Sequence, residues 1–285
     1  MVVSRRSFLK CLPPAVLGAA AGLSFRQAAS SGEPAHVRLL PSSPELENQC
    51  DWYFRFFKNP SRDFGRSEPK IRGMLEELVR EIPNAVPPGI EVRVALPNQT
   101  RVYLLDDNNG LYMFSLTLPL PIRKEQQRPD RSQFALFLSE SAPAILEKEP
   151  AICKSAVARE LAKHILILNP ELVNNPRFQP KSPEFNKELS GVPEEARERY
   201  TKDLAADKLR LWLVRDKDAA NQCIERDLNS QTVKGDHIKT HPDVILKTSP
   251  DVHPSLIVRQ AENEKTWEEI QQAKDSFAQD ETPHQ

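Results

Sequence analysis

Apolar residues recur at helical spacing in four parts of the chain. In residues 70–82 they stand three and four positions apart and stop just before Pro83. The same spacing runs through residues 151–168 and 194–214. Residues 254–273 begin with a proline, which a helix tolerates in its first turn. Each of these four segments is predicted to be an amphipathic helix.

Three segments between the first two helices have strand character. Residues 90–96 alternate apolar and polar positions, and residues 101–105 and 111–118 are rich in residues that favour strands. Residues 106–110 form a turn-type sequence between the last two strands. The aromatic segment 50–57 is expected to pack on the core. This order of elements predicts an α+β fold, a helical bundle with a small antiparallel β-sheet.

The N-terminus carries an export signal. Residues 4–10, SRRSFLK, match the twin-arginine signature, and a short, weakly apolar stretch follows over residues 11–25. That stretch is shorter than the roughly 20 residues that span a bilayer. We therefore predict a cleaved twin-arginine signal peptide over residues 1–30, with no stable membrane span after cleavage. The predicted location is the periplasm, with a thylakoid lumen as the alternative.

Composition and local sequence indicate how the chain after residue 30 is organised. The chain has 39% hydrophobic residues, 28% charged residues and a formal net charge of −1, which gives no indication of a nucleic-acid partner. Residues 31–44 are predicted to be a linker, residues 45–275 a single domain, and residues 276–285 a disordered tail. Within the domain, residues 169–193 are rich in Asn, Pro and Lys and are predicted to be a loop.

The helix predicted over residues 151–168 contains a degenerate zinc motif. In His-Glu-x-x-His, two imidazoles one turn apart hold the metal and the glutamate between them acts as a general base. Here Glu160 occupies the glutamate position, but Arg159 and Lys163 replace both histidines. Downstream lie Asp203-Leu-Ala-Ala-Asp207 on the next predicted helix and a His-Pro…Arg segment at residues 253–259.

In this order the three blocks resemble the gluzincin metallopeptidases of family M forty-eight, the CAAX-prenyl endopeptidases and periplasmic quality-control proteases. The resemblance covers roughly residues 45–270, and residues 133–147 are similar to the family's edge strand and leading helix. It implies a zincin-like fold. Carried over, it also implies the following roles: Glu160 as a vestigial general base, Asp203 as the third metal ligand, Asp207 as a carboxylate behind it, and His253 and Arg259 beside the metal.

Loss of both ligand histidines implies loss of hydrolysis, because a water molecule without zinc is not acidic enough for Glu160 to deprotonate. The expectation is a pseudopeptidase without a cofactor that binds protein or peptide clients in the cell envelope. One alternative is an active endopeptidase with zinc or another metal at a displaced site made of Glu160, His164 and Asp203. A second alternative is a purely structural envelope protein whose cleft is filled by Arg159 and Lys163.

Simpler interpretations of the same residues remain open. Glu160 and His164 lie four positions apart and would form an intrahelical pair, or a neighbouring cation would neutralise Glu160. Asp203 and its neighbour one turn on are also typical of a solvated face or of ion pairs with nearby cations. After signal cleavage three cysteines remain. Of these, Cys153 and Cys223 are candidates for a disulfide between the two helical regions, or for buried thiols.

Overall fold

The computed structural model describes residues 34–56, 68–105, 113–118, 130–139, 142–232 and 254–280. These residues form a mixed α+β fold that is mostly helical and has two small sheets. The strands are β1 (His36–Leu40), β2 (Glu91–Ala95), β3 (Arg101–Leu105), β4 (Met113–Leu118) and β5 (Gln133–Ser139). The signal peptide, the turn predicted at residues 106–110 and His253 lie outside the described residues.

Eight α-helices occur in the described part of the chain. They are α1 (Pro44–Phe56), α2 (Glu68–Ala85), α3 (Ala142–Lys148), α4 (Pro150–Leu168), α5 (Pro183–Leu189), α6 (Glu194–Val214), α7 (Lys217–Thr232) and α8 (Leu256–Asp280). The four predicted helices correspond to α2, α4, α6 and α8. α2 continues past Pro83, because a proline in the last turn removes only one backbone hydrogen bond.

The sheets differ from the antiparallel sheet predicted above. β1 and β2 form a parallel pair, and β3 also pairs in parallel with β5. Only β4 and β5 are antiparallel. The predicted antiparallel sheet is therefore wrong for β2 and β3. β5 was expected at an edge, but it lies at the centre of the order β3-β5-β4, where all seven of its residues are buried.

The three-stranded sheet separates two layers of helices. On one face, aromatic side chains of the sheet stack against α1: the ring centroids of Phe54 and Tyr103 are 4.4 Å apart, and those of Tyr103 and Phe137 are 5.0 Å apart. The aromatic segment of α1 thus packs on the core as expected, although Trp52 is 60% exposed. On the other face, β4 packs against α4, and Phe134 of β5 belongs to the main core, where its ring centroid lies 4.5 Å from that of His164 on α4. Residues on α4 therefore face β4 directly.

Two predicted boundaries need correction. The linker predicted over residues 31–44 is wrong for residues 36–40, which form β1, because five residues are too few to show a clear periodicity. The tail predicted over residues 276–285 is wrong for residues 276–280, which belong to α8, and residues 281–285 lie outside the described residues. Residues 169–193 hold a 3₁₀ turn, Pro170–Asn174, and the short helix α5. None of the helices described has the length and apolar character that crossing a bilayer requires.

Candidate functional site

The helix α4 is surrounded by protein on most sides. It begins with Pro150 at its first position, where the missing N–H costs no intrahelical hydrogen bond. Its neighbours are α6, α7, α2, β4 and β2. Buried polar residues on this helix must therefore find partners on these elements. Among them are Glu160 and His164, and Arg159 and Lys163 lie beside Glu160.

Asp207 on α6 is the centre of a buried ion-pair cluster. Arg259 of α8 donates to its two oxygens from Nε at 2.6 Å and from Nη2 at 3.0 Å. Arg159 of α4 donates from Nε at 3.0 Å, and the Nη2 atom of Arg210 lies 3.6 Å away. Burial alone would raise the pKa of Asp207, but the three guanidinium groups together hold it well below its usual range. One carboxylate thus joins α4, α6 and α8.

Glu160 is the second carboxylate of this cluster, and its side chain is almost fully buried. Lys163 donates to Oε1 at 2.6 Å, and Ser115 of β4 donates to Oε2 at 2.8 Å. The Nη1 atom of Arg159 lies 3.9 Å from Oε1. Two interpretations were open for Glu160, a pair with His164 and neutralisation by a neighbouring cation. In the structure, Arg159 and Lys163 neutralise it. These are the two cations that stand in the histidine positions of the motif.

His164 has a structural role that the sequence did not indicate. The backbone N–H of Ala95 in β2 donates to its Nε2 at 3.0 Å. Nε2 therefore has no proton in the neutral ring, so Nδ1 carries it and donates to Thr117 Oγ1 in β4 at 2.9 Å. Complete burial lowers the pKa of His164 to about 3, which keeps the ring neutral. His164 links β2 to β4 and does not pair with Glu160.

Asn169, directly after α4, also forms side-chain hydrogen bonds to the backbone of β2. Its Oδ1 accepts from the N–H of Arg93 at 2.9 Å, and its Nδ2 donates to the carbonyl of Arg93 at 2.8 Å. Side chains of Asn169 and His164 thus occupy backbone groups of β2 as a neighbouring strand would. We did not predict this role for Asn169. A polar residue directly after a long apolar helix is its only sequence signal.

The remaining predicted site residues are placed less completely. Asp203 lies one turn before Asp207 on α6 and is partly buried. His253 falls outside the described residues, so its expected position beside the site stays a prediction. Arg259, in contrast, lies in the cluster on Asp207. The structure therefore brings Arg159, Glu160 and Lys163 of the α4 motif together with Asp207 and Arg259.

The described donor atoms do not fit zinc or another metal. The oxygens of Glu160 are held by an ammonium group and a hydroxyl, and both ring nitrogens of His164 are already hydrogen-bonded. Among the residues described, no three His, Cys, Asp or Glu side chains form a group that could hold a metal ion. Arg159 and Lys163 would also repel a divalent cation. The displaced metal site of Glu160, His164 and Asp203 therefore receives no support from this geometry.

Cys153 on α4 and Cys223 on α7 are buried thiols and are not joined by a disulfide. Burial, and to a lesser extent Cys223, raises the pKa of Cys153 to about 12. Such a thiol is almost entirely protonated at neutral pH and is therefore a poor nucleophile. Of the two alternatives for this pair, the structure contains the buried thiols.

A second buried polar cluster joins α8 to the segment before α5. Glu262 of α8 accepts from the backbone N–H groups of Lys181 at 2.8 Å and Ser182 at 2.6 Å. Lys208 of α6 lies 3.6 Å from the other oxygen of Glu262 and donates to the carbonyl of Gln179 at 2.9 Å. The sequence gave no indication of this cluster, because its members come from three distant segments. It fixes α8 against α6 one turn away from Arg259.

Comparisons with protein-family models, with curated proteins and with solved structures found no match for this chain. The resemblance to the gluzincins therefore depends on the motif residues of the sequence alone and stays a prediction.

Proposed function

We propose that this chain is an exported, non-catalytic protein of gluzincin type that binds extended peptide segments of protein clients in the cell envelope. The observation that carries the proposal is the ion-pair cluster of Arg159, Glu160 and Lys163 with Asp207 and Arg259. By the resemblance, Arg159 and Lys163 stand at the positions of the two ligand histidines and Glu160 at that of the general base, while Asp207 and Arg259 would lie behind and beside the metal.

The state of Glu160 supports the absence of peptide hydrolysis. A general base must have a free lone pair within hydrogen-bond distance of an acidic proton. Here the ammonium group of Lys163 and the hydroxyl of Ser115 each donate to one oxygen of Glu160. A water molecule that is not bound to a metal, and would have to attack the peptide carbonyl, also keeps a pKa near 15.7. The ion pair with Lys163 therefore makes Glu160 a weaker base than the glutamate of a zinc site would be.

The position of β4 supports peptide binding. Within the described part of the chain, β4 pairs with β5 on one side and with no strand on the other. An extended peptide adds to such an edge through main-chain hydrogen bonds. Ser115, in the middle of β4, contacts Glu160 of the cluster. A peptide on this edge would therefore run beside the charged cluster.

Cell-envelope location is part of the proposal and depends on residues 4–10. Changing both arginines, Arg5→Lys with Arg6→Lys, should stop export and leave the precursor in the cytoplasm. The unchanged chain should yield a shorter, processed form outside the cytoplasm. Processing and export of the double variant to the same extent as the parent would contradict this assignment.

The direct test uses fluorescein-labelled casein, a client without stable structure. The mature protein should bind it, as measured by fluorescence anisotropy, with the same affinity in the presence of EDTA. The casein should stay intact on gels after prolonged incubation. Cleavage of casein that EDTA prevents would instead support the alternative of an active endopeptidase with a displaced metal site.

A second candidate, the purely structural envelope protein, is favoured by one observation. The side chains of Arg159 and Lys163 fold onto Asp207 and Glu160, which they partly cover. Absence of casein binding by a folded protein would favour this candidate and overturn client binding.

The gluzincin resemblance is tested separately by placing histidines at the two positions where the zinc motif has them, residues 159 and 163. A double variant, Arg159→His with Lys163→His, should bind zinc at least about tenfold more tightly than a control pair on an exposed helix face, because Glu160 lies between the two positions and Asp207 lies beside residue 159. Glu198→His with Lys202→His on α6 is the matched control, with the same spacing at exposed positions. Equal zinc affinity in two folded variants would contradict the resemblance at the site.

A further inference from the structure

The central part of the buried face of α8 is polar. A helix that packs on a protein core normally places apolar residues at positions i, i+3, i+4 and i+7. In the middle of α8 the residues at this spacing are all buried and all polar, namely Arg259, Glu262, Asn263 and Thr266. Val258 and Ile270, on either side of them, are the fully buried apolar residues among the α8 side chains that the structure describes, and Trp267 is partly buried against the core. The central part of α8 therefore docks through polar groups.

The surface that this part of α8 covers is also polar. Three of the four central side chains contact a polar side chain on the helices beneath them. The pairs are Arg259 with Asp207 on α6, Glu262 with Lys208 on α6, and Asn263 with Asn221 on α7. Water can replace such partners when two surfaces separate, but it cannot replace apolar contacts. Separation of α8 would therefore expose mostly polar groups in this region.

Buried pairs of this kind orient α8 and add little to its stability. Desolvation of both charges offsets most of the attraction within a buried ion pair. Removing one partner by mutation is costly because the other stays unpaired in the interior, whereas undocking returns both partners to water. The docked state also leaves polar groups unsatisfied: among the described residues, Oε2 of Glu262 and Oδ1 of Asn263 accept no hydrogen bond.

We propose that α8 is a reversibly docked helix, which leaves α6 and α7 as one unit while the rest of the domain stays folded. Folded proteins open in such units at free energies below that of global unfolding. Undocking removes Arg259 from Asp207, which Arg159 of α4 also contacts. Because Arg159 lies 3.9 Å from Glu160, the position of α8 changes the charge around the α4 motif. This inference does not depend on client binding.

Hydrogen exchange of the mature protein, measured by mass spectrometry at urea concentrations below the unfolding transition, tests the proposal. Amides of residues 263–273 should exchange at least about tenfold faster than those of α4 and α6, because undocking is the smaller opening and an isolated helix is only marginally stable in water. Urea should accelerate this exchange with a smaller slope than that of α4 amides, since the slope follows the surface exposed.

A bridged variant distinguishes undocking from fraying of a docked helix. The side chains of Glu225 on α7 and Gln260 on α8 form an exposed hydrogen bond of 3.0 Å. A short bis-maleimide can join the two thiols of Glu225→Cys with Gln260→Cys, because the described native cysteines are buried. The bridge should slow exchange in residues 263–273 at least about tenfold, because it prevents separation of the helices. The control is the same double variant with each thiol blocked by N-ethylmaleimide, which should exchange as the parent does.

Two results would overturn the proposal. Equal or greater protection of α8 than of α4, with equal urea slopes, would show that α8 opens only in global unfolding. Fast exchange of α8 that the bridge leaves unchanged would show fraying of a docked helix. Circular dichroism confirms that the double variant is folded; if it is not, the comparison of α8 with α4 in the unchanged protein still decides. Casein binding tests the proposed function separately.

Discussion

Asp207 on α6 and Arg259 on α8 form a two-point ion pair although 52 residues separate them in the sequence. Both side chains are buried, and both oxygens of the carboxylate accept from the same guanidinium group at 2.6 and 3.0 Å. Such bidentate pairs are the most directional ionic contacts in proteins. This one decides how α8 packs on α6. It also brings the C-terminal helix to the helix that carries Glu160, through the contact of Arg159 with Asp207.

Loss of Arg259 should destabilise the protein strongly. In Arg259→Ala, Asp207 stays buried with one of its closest partners removed, and breaking a buried ion pair costs about 3 kcal/mol. Urea denaturation followed by circular dichroism measures the change in the free energy of unfolding. Lys202→Ala is the control, because it removes an exposed ion pair with Glu198 and should change stability by less than about 0.5 kcal/mol. Similar effects of the two substitutions would contradict the role given to the Asp207 pair.

The buried imidazole of His164 predicts a stability that falls in weak acid. Its pKa is lowered to about 3 in the folded protein, whereas an unfolded histidine titrates near 6.5. Between these values the unfolded state binds the proton and the folded state does not. The contribution is therefore fully present above pH 6.5 and is lost progressively as the pH falls towards 3. The expected slope is about 1.4 kcal/mol per pH unit within this window.

Urea denaturation at pH 7, 6.5, 6 and 5.5 tests this slope above the range in which most carboxyl groups titrate. His164→Gln should flatten the slope and lower stability at pH 7, because its hydrogen bonds to Ala95 and Thr117 are disturbed. His36→Gln, at an exposed position of β1, should keep the slope. An unchanged slope in His164→Gln would show that other groups cause the acid sensitivity.

Sequence periodicity predicted the helices of the site but not their connections. The segment 194–214 coincides with α6, and residues 151–168 differ from α4 by one residue, because both helices are long and carry apolar residues at regular intervals. β1 was missed because five residues carry too little pattern. The strand order β3-β5-β4 depends on contacts between distant segments, which local spacing does not contain.

The candidate site, like the fold, could be predicted from the sequence only in part. The motif placed Arg159, Glu160 and Lys163 on one helix, and neutralisation of Glu160, one of the alternatives left open, is present. His164 was considered as a metal ligand because it stands four residues after Glu160. Its role depends on Ala95 and Thr117, which come from two strands. The chemistry of a buried residue follows from partners that the local sequence does not reveal.

Glu262 should contribute most to the stability of the contact between α8 and the segment before α5. Glu262→Ala would leave the N–H groups of Lys181 and Ser182 and the ammonium of Lys208 without their acceptor, which should cost about 3–5 kcal/mol. Glu262→Gln keeps one acceptor oxygen and should cost less. Urea denaturation measures both changes, and hydrogen exchange should show faster exchange at residues 181 and 182 in the alanine variant.

Glu264→Ala is the matched control, two residues along α8, where the side chain is exposed and pairs with Lys217. It should leave both stability and exchange nearly unchanged. If Glu262→Ala were no more disruptive than Glu264→Ala, the buried cluster would contribute little to the packing of α8.

The three described cysteines should be unreactive thiols in the folded protein and reactive thiols after unfolding. Burial raises the pKa of both Cys50 and Cys153 to about 12, so very little thiolate exists at pH 8. Iodoacetamide at pH 8 should therefore modify the native mature protein slowly, and in urea all three cysteines should react. Mass spectrometry counts the added groups before and after unfolding. Reaction of only one cysteine in urea, with two protected until a reductant is added, would show a disulfide between the other two. Cys153→Ala and Cys223→Ala would then identify the pair, because either substitution releases the partner thiol.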